Sequence, residues 1–141
     1  MSEKDDIIRI ILHYPDVQAV YLFGTYGTAD ERPDSDIDIA ILLAPQQAKA
    51  TGSLASSDLR FELEDLLKKK VDLINLRRVP TVLQKEVIAA DRRIYPAVSE
   101  ECADEYAADE FEMLTLSYYQ KLNEERADII EDALASGRFI V

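Results

Sequence analysis

The chain has 141 residues and a formal net charge of −12, which leaves room for one hydrophobic core with a peripheral segment and none for two full domains. Apolar residues make up 48% and charged residues 31%, the balance of a folded globular protein and not of a disordered chain. The acidic surplus excludes a surface built to grip nucleic acid, which needs clustered Lys and Arg, and suits a basic protein partner better.

In chain order, Asp5 to His13 reads as a short helix, with Ile7, Ile8, Ile11 and Leu12 at helical spacing, His13 marking its end and Pro15 closing it. Val17 to Phe23 is a continuous apolar run that suits a strand buried on both faces. Gly24 to Ser35 has turn and loop composition, and Asp34 there reads as a loop cap. Asp36 to Leu43 returns to a strand with carboxylates at its start. Ala44 to Ser57, with Pro45, Gly52 and several serines, reads as an exposed loop. Ser57 caps a helix expected to run to about Lys69, with Leu59, Leu63, Leu66 and Leu67 as its apolar stripe.

Val71 to Leu76 reads as a third strand, Pro80 opens a helix through about Ala89, and Arg93 to Tyr95 forms a short strand before Pro96. From about Glu100 to Ser136 the chain is acidic and helix-favouring, with Gly137 as a stop and Phe111, Leu114, Tyr118 and Leu122 on one face. Tyr118 and Tyr119 are read as packing residues. The organisation expected is a core over residues 1–98 and an acidic helical tail over 99–141 that contacts a partner.

Cys102 is the only cysteine, so an internal disulfide and a thiolate metal site are both excluded, and with no activating His nearby in sequence it reads as inert. Met1 to Asp6 is charged, without the apolar run of a signal peptide, and no stretch is long and apolar enough to span a membrane. A cytoplasmic protein is expected. The basic runs Lys68, Lys69, Lys70 and Arg77, Arg78 read as solvated element ends.

The chemistry concentrates in carboxylates. Asp36 and Asp38 stand two apart on a strand whose side chains alternate, so both project from one side. Two adjacent anions repel unless a cation separates them, and Mg²⁺ takes one or two carboxylates with substrate phosphates completing its shell. Asp72, inside Val-Asp-Leu-Ile-Asn-Leu, is costly there without a counter-charge and joins the same site if its strand lies beside the second and faces the same way. Three such donors can hold two ions that lower the pKa of an acceptor hydroxyl and clamp the attacking and leaving oxygens. Upstream, Val20 to Phe23 breaks into Gly24-Thr25-Tyr26-Gly27, where glycine lets a phosphate approach the backbone and Thr25 adds a hydroxyl.

Gly24-Thr25, ten residues, then Asp36-Ile37-Asp38 resembles the Gly-Ser, ten residues, Asp-x-Asp signature of the polymerase-β-like nucleotidyltransferases. The wider string through Arg32-Pro33-Asp34-Ser35 resembles their minimal branch, over about residues 5 to 95. The resemblance implies an α/β (α+β) nucleotidyltransferase fold, a small mixed sheet flanked by helices with a C-terminal helical tail. It implies transfer of AMP from ATP with release of pyrophosphate, with Asp36, Asp38 and Asp72 as metal-binding catalytic acids, Gly24 and Thr25 holding the triphosphate, and Mg²⁺ as cofactor.

Many minimal members are antitoxins that place AMP on a tyrosine of a HEPN ribonuclease toxin, which makes a HEPN-type partner and a hetero-oligomer the expectation. Two other readings stay open: an antitoxin that neutralises by binding alone, and a small-molecule nucleotidyltransferase completed by a separate substrate-binding subunit. Thr25 departs from the family's serine, Thr28 from its Arg or Lys, and Ala29 from its glycine.

Overall fold

The computed structural model of the protein describes residues 3–54, 57–96 and 103–135, with side chains of the last helix described through residue 127. Cys102 and the expected tail boundaries at Glu100, Ser136 and Gly137 lie outside the described residues. The elements are α1 (Glu3–Ile11), β1 (Val17–Phe23), β2 (Ile37–Leu43), α2 (Pro45–Thr51), α3 (Asp58–Leu67), β3 (Val71–Asn75), a 3₁₀ turn (Leu76–Arg78), α4 (Thr81–Ala89), β4 (Arg93–Tyr95) and α5 (Ala103–Ala135). The strands form one mixed sheet in the order β3-β2-β1-β4, with β1 antiparallel to β2 and β4 and β2 parallel to β3.

Both faces of this sheet are covered, which is why β1 and β2 read as near-continuous apolar runs. On one face Val20, Leu22, Ile37, Ile39, Ile41, Leu43, Val71 and Leu73 meet Ile7 and Ile11 of α1, Ala48 of α2, and Leu59 and Leu63 of α3. On the other, Ala19, Tyr21, Ala40 and Leu42 meet Leu76, Val87 of α4 and Ala108 of α5, with Phe23, Ile74 and Phe111 half-buried around them. Period-two alternation assigns each strand residue to its face. Asp38 and Asp72 thereby share the face of Ala40, Leu42 and Ile74.

Three expectations need correction. The segment read as an exposed loop from Ala44 to Ser57 contains α2, whose Pro45 stands in the first turn and whose Ala48 is buried. Its end is capped from a distance: Asn75 Nδ2 donates to the carbonyls of Ala48 at 3.0 Å and Gly52 at 2.8 Å. In α3, Ser57 caps as expected by accepting from Arg60 N–H. The helix ends at Leu67 because Lys68 takes a left-handed conformation at φ 56°, and its stripe narrows to Leu59, Leu63 and half-buried Leu67, leaving Leu66 37% exposed.

The third correction concerns α5. Its packed line runs through Ala108, half-buried Phe111 and buried Thr115, while Leu114 and Tyr118 of the expected face are exposed. Tyr119 packs as expected, with the Lys85 ammonium 5.1 Å from its ring centre. Among the described residues no helix is long and apolar enough to cross a membrane.

Two polar devices lock the layers. Glu64 accepts Val71 N–H at 2.9 Å and Arg60 donates to Val71 C=O at 3.2 Å, so α3 side chains close backbone groups of edge strand β3. Arg93, with its side chain 8% exposed, donates to Glu112 at 2.6 Å and Asp109 at 2.9 Å, and the Tyr21 hydroxyl donates to the same Glu112 oxygen at 2.9 Å. Burial, followed by the Glu112 charge, holds the Tyr21 hydroxyl far above its ordinary pKa, so it stays a donor. Glu112→Ala leaves the Arg93 cation short of a partner and is expected to destabilise the protein by about 2 kcal/mol, measured as a lower urea midpoint.

Candidate active site

The site forms where β1 ends, β2 begins and β3 begins. Parallel pairing sets Asp38 directly opposite Asp72, and antiparallel pairing sets Phe23, the residue before Gly24, opposite Asp38. Asp36 precedes β2 by one residue, and the backbone there is fixed by Ile37 N–H donating to Lys70 C=O at 2.9 Å. One sheet corner therefore carries the Asp-x-Asp pair, the third acid and the glycine turn.

The electrostatics record this convergence. The Asp38 carboxyl is raised above the ordinary Asp pKa, first by burial and then by the charges of Asp72 and Asp36. Among the described residues no three acid, His or Cys side chains are gathered closely enough to cage a metal ion. The donor set is oxygen only and carries three negative charges, the chemistry that suits a hard divalent cation such as Mg²⁺.

Gly24 is required by space as well as by conformation. Its φ is +69°, and a Cβ built there would overlap Asp38 Oδ2 and stand 3.1 Å from Asp38 Cγ. Glycine thus lets the carboxylate lie directly against the turn that follows β1. Thr28 builds that turn: its N–H and hydroxyl both donate to Thr25 C=O, at 3.0 and 2.6 Å, and its hydroxyl accepts Asp30 N–H at 3.2 Å. The residue that departs from the family's basic position is here a turn former.

Thr25 borders a cavity of about 680 Å³ shared with Arg32 and Ser35. The loop beyond closes through Ser35, whose hydroxyl accepts Arg32 N–H at 3.0 Å, and not through Asp34. Asp72 borders a second cavity, of about 340 Å³, whose walls include Leu54, Ile74 and Val79.

Sequence reasoning missed several polar residues around the turn. Arg92 donates to the Gly24 and Tyr26 carbonyls, Glu31 accepts Gly27 N–H at 2.8 Å, and Lys69 pairs with Glu31 at 3.2 Å. Local patterning carries no signal for the contacts that Arg92 and Lys69 make with residues far away along the chain. Arg77 is likewise no solvated end: it donates to Leu43 C=O and, at 2.8 Å, to Gln18, and lies 5.2 Å from the Phe111 ring centre. His13 sits exposed just after α1, as expected.

The sequence matches the family model described as polymerase beta, nucleotidyltransferase, over residues 5–100. It is 31% identical over 134 residues to the protein adenylyltransferase MntA of Shewanella oneidensis, covering 94% of this chain and 88% of that protein. Among solved structures, it is similar to a toxin-antitoxin with AMP-PNP at a TM-score of 0.67 and 31% identity, covering 93% of this chain and 98% of the other. It is also similar to a chain in the complex of the tri-AMPylated Shewanella oneidensis HEPN toxin with its MNT antitoxin, at a TM-score of 0.64 and 30% identity, covering 94% of this chain and 96% of the other.

The raised Asp38 pKa has a consequence for stability. A carboxyl whose folded pKa lies above its unfolded value favours the fold while protonated and loses that contribution as pH rises through the folded pKa. In metal-free buffer Asp38→Asn is therefore expected to melt above the parent protein at pH 7. The difference should vanish as pH falls below the ordinary Asp pKa of about 4, a trend that thermal melts across pH measure.

Proposed function

The chain belongs to the polymerase-β nucleotidyltransferase family, and on that premise we propose that it is an antitoxin acting as a protein adenylyltransferase, moving AMP from Mg-ATP to a tyrosine hydroxyl of a HEPN ribonuclease toxin. The observation that carries this reading is the pairing of Asp38 with Asp72 across parallel strands, hard against a glycine that no other residue could replace without striking Asp38. The likeness to MntA, to a toxin-antitoxin with AMP-PNP and to the complex with a tri-AMPylated HEPN toxin supports the donor, the reaction and the partner.

Asp36, Asp38 and Asp72 would hold two Mg²⁺ ions, which neutralise phosphate charge and lower the pKa of the acceptor hydroxyl. The chain's own groups do the rest. Gly24 and Thr25 seat the triphosphate: the glycine admits a phosphate to the backbone, and the Thr25 hydroxyl offers a hydrogen bond. Asp72, exposed on edge strand β3, accepts the tyrosine proton. The phenolic oxygen then bonds to the α-phosphorus as the bond to pyrophosphate breaks, a displacement that depends on alignment and charge placement. The cavity bordered by Asp72 with Leu54, Ile74 and Val79 gives an aromatic acceptor an apolar approach.

Residues 1–98 serve as the catalytic unit and 99–141 as the partner contact. The inner line of α5 is committed to the chain's own core, while Tyr106, Met113, Leu114, Leu116 and Tyr118 are exposed at 75, 64, 59, 43 and 56%. An apolar surface on an acidic helix suits a partner with an apolar patch and basic surroundings. On this reading the pair works in the cytoplasm, where ATP and the RNA substrates of a ribonuclease are found.

Incubating the chain with its co-purifying partner, Mg²⁺ and ATP is expected to add whole AMP units to the partner, read by intact mass. Asp36→Ala with Asp38→Ala should lower the rate at least about a hundredfold while the complex still forms. Masses that stay unchanged with the parent protein, together with tight association, would instead favour neutralisation by binding alone. Mg²⁺ is expected to raise the melting temperature of the parent protein and not that of the double variant.

A further inference from the structure

Arg92 lies just before β4 and plays no part in the chemistry above, yet its guanidinium reaches the turn after β1. Nη1 donates to Gly24 C=O at 3.1 Å and Nη2 to Tyr26 C=O. The Arg92 carbonyl in turn accepts Leu22 N–H at 3.0 Å, which anchors its backbone to β1. A Cβ built on Gly27, at φ +75°, would stand 3.1 Å from Nη2, so the guanidinium covers one side of the turn.

A trans peptide unit is planar, and its C=O and the following N–H point in opposite directions. Drawing the Gly24 and Tyr26 carbonyls toward Arg92 therefore turns the Thr25 and Gly27 N–H groups to the other side. One of those groups already holds an anion. Gly27 N–H donates to Glu31 Oε2 at 2.8 Å, and Lys69 Nζ holds Glu31 Oε1 at 3.2 Å. The Glu31 carboxyl is correspondingly held below the ordinary Glu range, by the Gly27 amide first and Lys69 next. A lysine cannot copy the Arg92 arrangement, since bridging two carbonyls at once requires a planar fork of donors.

We propose that Arg92 is a positioning residue that aims the Thr25 and Gly27 amides at the triphosphate, and that the Glu31 carboxylate occupies the anion position a phosphate takes when nucleotide binds. The identity of that anion rests on the nucleotidyltransferase reading; the orientation of the amides does not. Two substitutions then act in opposite directions. Removing Arg92 frees the carbonyls to swing toward the phosphates, whereas neutralising Glu31 removes a competitor and leaves Lys69 to the incoming anion.

Titration calorimetry with AMP-PNP and Mg²⁺, alongside ATP kinetics read as AMP added to the partner, tests this on the full chain. Arg92→Ala is expected to weaken AMP-PNP and raise KM for ATP about tenfold, the size of one charge-assisted hydrogen bond, with a much smaller change in kcat. Arg92→Lys should recover only part of the loss. Glu31→Gln should tighten AMP-PNP about threefold or more.

Unchanged affinity in Arg92→Ala, full recovery in Arg92→Lys, or weaker binding in Glu31→Gln would each overturn the proposal. If Arg92→Ala also lowers the melting temperature, the near-isosteric Glu31→Gln decides, because a merely structural Glu31 weakens binding and a competing one strengthens it. AMP-PNP binding without any AMP transfer by the parent protein would sink the functional reading alone. Transfer by the parent protein with binding unaffected in Arg92→Ala would sink this inference alone.

Discussion

The structure turns on one register, the parallel pairing that sets Asp38 opposite Asp72. A slip of one residue would send every side chain of β3 to the other face of the sheet. Asp72 would then enter the core built with α1 and α3, and Leu73 would leave it. Burial on that face prevents the slip, since Val71 and Leu73 are 3% and 1% exposed. The position of the acids is thus maintained by apolar neighbours that take no part in chemistry. Burial first, and then the charges of Asp72 and Asp36, raise the Asp38 pKa, so the acids are held in place at a cost that the packing beneath them offsets.

A second constraint shapes the turn after β1. The amides of a turn can point away from the sheet together only if its carbonyls are held elsewhere. Here Thr28 binds the Thr25 carbonyl from within the loop, and Arg92 takes the Gly24 and Tyr26 carbonyls from β4's approach. Pairing of β4 with β1 brings Arg92 to that place. The short edge strand, three residues long, therefore contributes to the candidate site although none of its own residues lies there.

The long helix α5 divides its surface between two tasks. Ala108, Phe111 and Thr115 close the second core, and Arg93 with Tyr21 grips Glu112. Tyr106, Met113, Leu114, Leu116 and Tyr118 face outward. That division explains why Phe111 turns to the core while Leu114 and Tyr118, the latter expected to pack, stay exposed: the helix is apolar on more than one side, so periodicity alone could not choose which line the core would take. The loop expected over residues 44–57 failed for a related reason. Pro, Ala, Gln and Gly have no pronounced apolar period, and α2 owes its end to Asn75, a residue far along the chain whose amide closes two of the helix-end carbonyls.

What the sequence determined by itself was whatever depends on neighbours along the chain. The bounds of β1 and β4 follow from local patterning, as does the Ser57 cap. The spacing of Asp36 and Asp38 and the glycine break that follows Phe23 are equally local, and with the resemblance they carry they made the family legible. Tertiary structure alone decided which face β3 turns toward β2, how Asp38 lies against Gly24, and which distant side chains, Arg92, Lys69 and Asn75, complete the turn and the α2 cap. Those outcomes depend on pairing and packing between segments tens of residues apart, and no local pattern encodes which of many available polar groups will arrive at a given backbone carbonyl.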